Sequence, residues 1–432
     1  MDAGHGPDRV QPRTGQQKPH GNTAPLIRPN DLTMPGSPFG SRGRRDGGAQ
    51  PAERGTGTHV MASGAKRGRM MAKATTKRSG KVHGTREPIA SHGAEQLPSV
   101  TISSYNLELR DKEGFIGDRA SKRAFSAKLD DWRERLGKCD ADPFGDVETA
   151  ELTKKRLDKA MHGKDKEAAA VVLGAIEDFA QELAGVIRRF RRTKPWQNVK
   201  RIAVGGGFRG GRIGELAIAR TDILLKADGI DVDLKPIRHH PDEAGLIGAA
   251  HLMPAWTLAG HDAILAVDIG GTNIRAGLVD LHMKKARDLS KAEVRTSELW
   301  RHADDEPSRT AAIEKLAAML NDLISKAGQE GLTLAPIIGI GCPGLIRTDG
   351  SIDRGGQNLP GGTWESEHFN LPAALAKAIP EIGGHETVIV VHNDAVVQGL
   401  SEVPDMQDAK EWGVVTIGTG LGNATYVNRG KD

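Results

Sequence analysis

The chain has 432 residues, a length that favours two or three domains. Its 60 lysines and arginines and 56 aspartates and glutamates give a formal charge of +4. The first hundred residues hold 16 basic and 7 acidic residues, a charge of +9, which leaves 44 basic and 49 acidic residues, a charge of −5, for the remainder. Because the basic excess belongs to the head, the overall charge does not indicate a body that binds nucleic acid.

Residues 1–97 are expected to form a disordered, basic extension rich in glycine and proline. In the first hundred residues Leu, Ile, Val and Phe total 10 while Gly and Pro total 26, so little apolar surface is present to offset the entropy of ordering. The densest charge, at 65–81, fits either a tail for nucleic acid or an acidic partner, or a solvated extension from a start codon assigned too early. A helix-turn-helix would need two helical apolar patterns, and the head contains neither.

The compartment is indicated by two features. The two cysteines, Cys139 and Cys342, exclude a disulfide scaffold and a four-cysteine zinc site, and fit a reducing compartment. No apolar run approaches the roughly 20 residues that a membrane helix needs, and no hydrophobic signal segment follows the N-terminus. We therefore expect a cytoplasmic protein without a membrane contact.

The body reads as an alternation of helices and strands. Apolar residues at three- and four-residue spacing predict helices within 119–190. The elements expected after them are a strand at 200–207, a helix at 213–226, a strand near 230–237, a helix at 242–253, strands at 263–268 and 273–279, a helix at 309–327, a strand at 335–344, a helix at 372–379, a strand at 387–394 and two strands within 411–428. This alternation indicates an α/β architecture.

The strongest chemical signal is the turn between the strands at 263–268 and 273–279. It begins with Asp268 and contains Gly270, Gly271, Thr272 and Asn273, with Arg275 just beyond. Two glycines allow a sharp bend whose amide N–H groups form an anion nest, and Thr272 adds a hydroxyl donor. The Asp268 carboxylate would repel a bare phosphate, so a Mg²⁺ ion with retained waters is expected between them. The alternative is a hairpin turn that simply needs two glycines.

Two further glycine segments resemble ligand-binding turns. Gly418, Thr419 and Gly420 again join two strands, and a pair of such turns is what two lobes gripping one polyphosphate would need. Gly205, Gly206 and Gly207 stand between a strand and a helix, where the backbone could lie against a flat ring near a helix N-terminus. Taken alone, each segment could also be an ordinary connecting loop.

The pair Asn393-Asp394 ends an apolar strand. An aspartate there, close to a phosphoryl donor, could accept the proton of an attacking hydroxyl group. The same pair could instead form a helix N-cap, because Asp and Asn favour that position. The glycine-rich loop that follows the strand at 335–344 contains Gly344, Asn358 and Trp364, and could donate hydrogen bonds to a polyol or be a surface loop.

Together these segments resemble the ROK family of sugar kinases and sugar-responsive repressors, within the actin-like ATPase superfamily. Asp268 to Asp280 is similar to the family's first phosphate motif, and TIGTGLGNATYVN to its second. GIGCPGLI and NLPGGTW resemble its sugar loops, and Asn393-Asp394 resembles the pair whose Asp is the catalytic base. IAVGGGFRGG resembles the adenosine motif, and DEAGLIGAAHL the helix that usually closes the family's chain.

The order of these motifs differs from the order in the family. The adenosine motif and closing helix, at 201–252, precede the first phosphate motif, and the second phosphate motif comes last. A circular permutation would give this order, and it is inexpensive where chain termini lie close together. It predicts that the strand ending at Gly205 lies in the same lobe as the strand near Val414.

The resemblance implies a circularly permuted actin-like ATPase (ribonuclease H-like) fold of two α/β lobes. We expect 98–258 and 393–432 to form the large lobe and 262–392 the small lobe, with the packing helix of the small lobe near 242–252. The nucleotide cleft lies between the lobes, and lobe closure would exclude water from it.

The implied activity is that of a glucokinase-like ATP:hexose phosphotransferase acting on a hexose or an N-acyl hexosamine. Its cofactors are ATP and Mg²⁺, and no nucleic acid partner is expected. Asp394 is the expected base and Asp268 holds Mg²⁺ through water. The remaining roles fall to two groups: Asn358, Asn393, Asp394 and Gly344 for the sugar, and Gly270, Gly271, Thr272, Asn273, Arg275, Gly418, Thr419, Gly420, Gly205, Gly206 and Gly207 for ATP.

Two family features are missing from the sequence. The cysteine-rich zinc motif is absent, and no Glu-x-Gly-His sugar motif is present. GFIGDRAS, at 114–121, resembles the stretch that follows that motif, so Glu108 or Glu113 could supply its carboxylate. The competing interpretation is a non-catalytic sugar-sensing regulator. A homodimer is compatible with the sequence but is not indicated by it.

Overall fold

The computed structural model describes residues 87–430. The expectation of disorder for residues 1–86 therefore lies outside the described residues. None of the helices in the described range combines the length and apolarity that a membrane span requires.

The strands of residues 87–430 are mostly short, and the hairpins carry the longest apolar runs. In chain order they are β1 (Val100–Tyr105), β2 (Arg110–Asp111), β3 (Gly114–Phe115), β4 (Arg201–Gly205), β5 (Asp233–Pro236), β6 (Ala263–Ile269), β7 (Ile274–Asp280), β8 (Glu293–Trp300), β9 (Leu334–Cys342), β10 (Leu345–Ile346), β11 (Ile352–Arg354), β12 (Glu381–Ile382), β13 (His385–Glu386), β14 (Val388–Asn393), β15 (Glu411–Ile417) and β16 (Leu421–Asn428).

The helices follow the predicted apolar periodicity and mostly begin at a side-chain cap. In chain order they are α1 (Lys122–Gly137), α2 (Lys154–His162), α3 (Lys166–Phe190), α4 (Arg212–Ala227), α5 (Ala244–Ala250), α6 (Ala255–Leu258), α7 (His302–Asp305), α8 (Arg309–Gln329), α9 (Leu371–Ala378) and α10 (Asp394–Leu400). Ser121, Asp165 and Ser308 accept the first amide hydrogen bonds of α1, α3 and α8.

Two five-stranded sheets share one strand order. In the first, β6 pairs antiparallel with β7 and β7 with β8, while β9 pairs parallel with β6 and β14 with β9. In the second, β15 pairs antiparallel with β16 and β16 with β1, while β4 pairs parallel with β15 and β5 with β4. Strands β6, β7, β8, β9 and β14 of the first sheet correspond to β15, β16, β1, β4 and β5 of the second. The two sheets therefore have the same order only if β15 and β16 are placed before β1 in the chain.

This order confirms the permuted actin-like ATPase fold. The strand ending at Gly205 pairs with the strand that contains Val414, as Gly205 lies opposite Thr416 and Ala203 opposite Val414. About 200 residues separate the two strands, and the pairing brings the two distant segments into one sheet.

Helices α5 and α10 lie between the two sheets. Helix α10 contacts α5 and strands of both sheets, and α5 packs on β6, β7 and β9. The crossing is close, because a Cβ atom at Gly248 of α5 would lie 1.8 Å from the carbonyl oxygen of Val397. Helices α1 to α4 cover the outer face of the second sheet, and α8 and α9 cover that of the first.

The boundary of the folded part lies earlier than residue 98. Within the expected extension, Leu97 is 1% exposed and Gly93 donates a backbone hydrogen bond of 3.0 Å to Val391 at the end of β14. Arg429 also forms an ion pair of 2.7 Å with Glu87. Residues 87–97 are therefore part of the fold, and the expectation of disorder is wrong for them, because backbone pairing rather than apolar content holds them.

Candidate functional site

The first glycine turn closes the hairpin of β6 and β7. Gly270 donates a 2.8 Å backbone hydrogen bond to Asn273, which fixes the bend. His302, at the start of α7, contacts the Gly270 carbonyl oxygen through Nε2 at 2.9 Å, and the Ala303 amide donates to the Thr272 carbonyl oxygen at 3.2 Å. Because these bonds use the Gly270 amide and two carbonyl oxygens of the turn, the amide N–H groups of Gly271 and Thr272, which have no partner within residues 87–430, are left for a ligand.

The second glycine turn, between β15 and β16, meets the first. Its Gly418 donates to Gly420 at 2.9 Å, and the Lys122 amide donates to the Gly418 carbonyl oxygen at 2.9 Å. The hydroxyl oxygens of Thr419 and Thr272 lie 3.3 Å apart. The two turns come from different sheets, so a phosphate chain bound at this point would contact both.

The triglycine segment follows β4 and packs against the strand that leads into the second turn. Gly206 has a φ of +84°, and a Cβ atom there would lie 2.4 Å from the Ile417 carbonyl oxygen. The Gly206 amide donates to Gln398 Oε1 of α10 at 3.1 Å. A side chain at Gly206 would therefore break the contact between the segment and β15.

The helix N-terminus that follows the triglycine is already occupied. Asp158 of α2 accepts hydrogen bonds from the Arg212 amide at 3.3 Å and the Ile213 amide at 3.2 Å, the first amides of α4. This N-terminus is therefore not free for a phosphate.

An apolar slot opens beside the triglycine. Helices α1, α2 and α4 and the segment after Gly207 line it with Phe125, Leu129, Leu152, Leu157, Phe208 and Ile213. Lys122 and Lys154 stand at its polar side. Its apolar lining is the kind of surface on which a flat heterocyclic base packs.

Asn393 is the N-cap of α10. Its Oδ1 accepts from the amides of Ala395 and Val396 at 3.0 and 3.3 Å, and its Nδ2 donates to the Gly344 carbonyl oxygen at 3.0 Å. The capping role weighed for the Asn-Asp pair thus belongs to Asn393, while Asp394 is the first residue of the helix. Sugar binding by Asn393 and Gly344 stays a prediction.

Asp394 and Asp268 form a close pair of carboxyl groups. A Cβ atom at Gly341 would lie 3.5 Å from both Asp268 Oδ1 and Asp394 Cα, so the two residues flank the same backbone. Burial, and then the charge of Asp268, raise the pKa of Asp394 to about 7. Burial likewise raises the pKa of Asp268 to about 6, against the opposing effect of Arg275. Such a pair keeps one carboxyl group able to accept a proton near neutral pH.

The same pair has the chemistry of a Mg²⁺ site. Mg²⁺ prefers carboxylate oxygens and keeps several waters, and buried carboxyl groups with raised pKa values gain from a nearby cation. Gly245 of α5 packs closely against Asp268, since a Cβ atom there would lie 2.6 Å from the carboxyl carbon. The residues present therefore fit the ion, with Asp268 as the expected holder.

Some of the other residues that were predicted to bind ATP or the sugar have partners within the protein, and others do not. Arg275 forms an ion pair with Asp242 just before α5. Asn273 Oδ1 is buried and has no hydrogen-bond partner within residues 87–430. Asn358 is exposed beside the first turn, since a Cβ atom at Gly271 would lie 3.2 Å from the Asn358 Cβ. Trp364, by contrast, is 1% exposed and donates to the Pro360 carbonyl oxygen, so it serves the core.

Sequence reasoning missed the segment at 87–97, which runs along the end of β14. His392 Nδ1 accepts from the Asn393 amide at 2.7 Å, so Nε2 carries the proton that bonds the Ala94 carbonyl oxygen at 3.2 Å. Glu95 follows directly and is exposed near Tyr105, whose pKa its charge helps to raise. The alternation in SVTISSY indicates the strand that follows this segment, but nothing in the sequence alone places the segment against His392, the residue before Asn393.

A comparison with protein families matches part of the chain. Residues 264–430 match the model of the ROK family. Over these residues the chain is similar to the ROK family. The match begins in β6 and ends just past β16, so it holds both glycine turns and Asp394 and leaves out the triglycine segment. No curated protein matches the chain.

Solved structures also resemble parts of the chain. One is the Lmo2764 protein of Listeria monocytogenes, described as an N-acetylmannosamine kinase, at 22% identity and a TM-score of 0.28 over 38% of this chain and 47% of that chain. Another is the ROK hexokinase from Thermus thermophilus, at 22% identity and a TM-score of 0.28 over 38% of this chain and 46% of that chain. The chain thus spans about half the length of these structures.

Proposed function

We propose that the chain is an ATP-dependent sugar kinase that transfers the terminal phosphoryl group of ATP to a hydroxyl group of a hexose or an N-acyl hexosamine. The observation that carries this proposal is the 3.3 Å approach of Thr272 and Thr419, which joins two glycine turns from different sheets. Sugar kinases of the ROK family, whose model this part of the chain matches, use ATP and Mg²⁺.

Asp394 takes the proton of the sugar hydroxyl as that oxygen attacks the phosphorus atom. A pKa of about 7 suits this step, because a base is most useful when its pKa lies near the working pH. The helix cap formed by Asn393 holds the start of α10 and so fixes where the carboxyl group of Asp394 lies.

The phosphate chain lies against the amides of the two glycine turns. Phosphoryl transfer asks the protein mainly for positioning and charge stabilisation, which rigid turns supply without rearrangement. His302 and Ala303 hold the first turn and the Lys122 amide holds the second. The adenosine group lies near Gly205, Gly206 and Gly207, with its base in the apolar slot. Asp268 would hold Mg²⁺, which supplies positive charge at the transferred phosphoryl group.

Glu95 is our candidate for the carboxylate of the missing sugar motif. The segment that carries it is bonded to β14 through Gly93 and Ala94, one residue from the Asn-Asp pair. Its own carboxylate forms no hydrogen bond or ion pair within residues 87–430, so it is free to accept from sugar hydroxyls. Glu108 and Glu113, the sequence-based candidates, are each within 3.6 Å of an arginine, Arg110 and Arg119 respectively.

A matched set of variants tests the assignment of Glu95. Glu95→Gln should raise the KM for the sugar by about tenfold or more, the worth of one hydrogen bond to a charged group, with the KM for ATP unchanged. Glu108→Gln and Glu113→Gln are the controls and should leave both constants near the wild-type values. An effect confined to Glu108 or Glu113 would return the role to the sequence-based candidates.

The function itself is tested by a coupled assay of ADP formation across a panel of hexoses and N-acyl hexosamines. The kinase predicts ADP formation that depends on one or a few of these sugars and on Mg²⁺. Sugar binding without any sugar-dependent ADP formation would contradict the proposal and favour a non-catalytic, sugar-sensing regulator.

A further inference from the structure

Lys154 stands at the mouth of the apolar slot and was not singled out by any sequence pattern. Its Nζ donates a hydrogen bond to the carbonyl oxygen of Gly207, the last glycine of the triglycine segment. A Cβ atom at Gly210 would lie 3.5 Å from the same Nζ. Within the described range no carboxylate forms an ion pair with this ammonium group. Lys154 is thus a cation aimed at the loop that faces the expected adenosine group.

The position of Lys154 is fixed by the helix that carries it. Residues four apart share one face of a helix, and Asp158, four residues after Lys154, is bonded to the first amides of α4. The Thr153 side chain caps the start of α2 by accepting from the Arg156 amide at 3.2 Å. Helix α2 therefore cannot turn about its axis without losing the cap on α4, and Lys154 stays beside Gly207.

The charges around Lys154 leave an excess of positive charge. Lys122, Arg275, Asp158 and Asp242 all act on it electrostatically. Asp242 is ion-paired with Arg275, and Asp158 is bonded to amides of α4, so neither lysine has a carboxylate of its own. Burial and then the charge of Lys122 lower the pKa of Lys154. The Lys122 amide is bonded to the second glycine turn, so Lys122 lies between that turn and the slot. The positive charges of Lys122 and Lys154, which have no carboxylate of their own, are therefore near both.

We propose that Lys154 binds the phosphate chain of the donor nucleotide and so makes the site select a nucleoside di- or triphosphate over the nucleoside. This inference rests on the proposed function, because it assumes that the donor's base lies in the slot. The ammonium group exchanges the neutral carbonyl oxygen of Gly207 for an anionic phosphate oxygen, which is the stronger partner. Lys122, which also lines the slot, adds to the attraction.

Binding of adenosine, ADP and ATP, measured by calorimetry on the full chain, tests this role. Lys154→Met keeps the length and apolar stem of the side chain and removes only the charge. It should weaken ATP and ADP by about tenfold or more, as for the loss of a charge-assisted hydrogen bond, and leave adenosine unchanged. The control is Lys155→Met. The Lys155 side chain is exposed and has no partner in the described part of the chain, so this variant should bind all three ligands as the wild type does.

The outcomes separate this inference from the proposed function. Equal ATP affinity in Lys154→Met and Lys155→Met would overturn the role of Lys154 while leaving the kinase in place. Equal loss for adenosine and ATP would also overturn it, since the lysine would then act on the slot rather than on phosphate. A wild-type chain that binds neither ADP nor ATP would contradict both the proposed function and the inference. A thermal melt of each variant confirms that the fold is retained.

Discussion

The two five-stranded sheets have the same strand order but are assembled from different parts of the chain. The first is built from the continuous stretch 263–393, whereas the second takes β15 and β16 from one end of the described range and β1, β4 and β5 from the other. In both, the first hairpin carries a glycine turn, and the two turns meet at Thr272 and Thr419. The comparison shows that this meeting depends on where strands pair rather than on where they occur in the chain.

Replacing Asp394 tests whether residues of both sheets take part in one reaction. It stands at the end of β14 in the first sheet, yet we expect the donor to be held partly by the second sheet. Asp394→Asn should lower kcat about 10²–10⁴-fold, the usual worth of a positioned general base, with ATP affinity little changed. Steady-state kinetics and calorimetry measure the two effects.

The control is Asp405→Asn, which alters an exposed carboxylate, paired with Arg238, shortly after the same helix. It should leave kcat unchanged. Near-normal turnover in Asp394→Asn would show that Asp394 is not the base.

A substitution in β1 tests whether the second sheet needs this edge strand for its stability, as the strand order implies. Ile102 of β1 is 3% exposed, whereas Leu299 of β8, the strand in the same place in the first sheet, is 53% exposed. Ile102→Ala should lower the free energy of unfolding by about 2–5 kcal/mol, as for other buried aliphatic truncations. Leu299→Ala should change it by no more than about 0.5 kcal/mol.

Urea unfolding measures both variants. Similar stabilities for Ile102→Ala and the wild type would mean that β1 is not needed to close the second sheet, and the parallel between the sheets would fail.

The sequence analysis did not predict the edge strands β1 and β8. It did predict the hairpin strands and the parallel strands, because strands with both faces buried have continuous apolar runs. Strand β8 has no fully buried residue, and β1 alternates buried and polar positions, so neither gives an apolar run. The glycine turns and Asp394 were predicted from local motifs, but Glu95, Lys154 and His302 gain meaning only from segments that are distant in the chain.

The triglycine segment tests the contact between β4 and the strand of the second turn. Gly206→Ala should lower the free energy of unfolding by about 1–3 kcal/mol, because its φ is +84° and a Cβ atom would meet the Ile417 backbone. Gly207→Ala is the matched control, since a Cβ atom there has no neighbour within 4 Å. Equal stability of the two variants in chemical unfolding would contradict the packing described above.

The smallest effect is the pH dependence of stability from Asp394. Its pKa in the folded chain is about 7, above the ordinary value of 3.8, so the folded state holds a proton that the unfolded state has released. The contribution of Asp394 to the free energy of unfolding is therefore largest below about pH 4 and is lost as the pH rises toward 7. In buffer with a chelator, Asp394→Asn should have a higher melting temperature than the wild type at pH 8 and the same one at pH 4. A lower melting temperature at pH 8 would contradict the raised pKa.

The central claim is that two glycine turns, from sheets of different assembly, hold one nucleotide. Hydrogen–deuterium exchange with Mg²⁺-ATP and no sugar tests it directly, with adenosine as the control ligand. The account predicts that ATP slows exchange in peptides covering both 270–273 and 418–420, whereas adenosine slows it only near 205–210. Protection of a single turn at saturating ATP would contradict the claim.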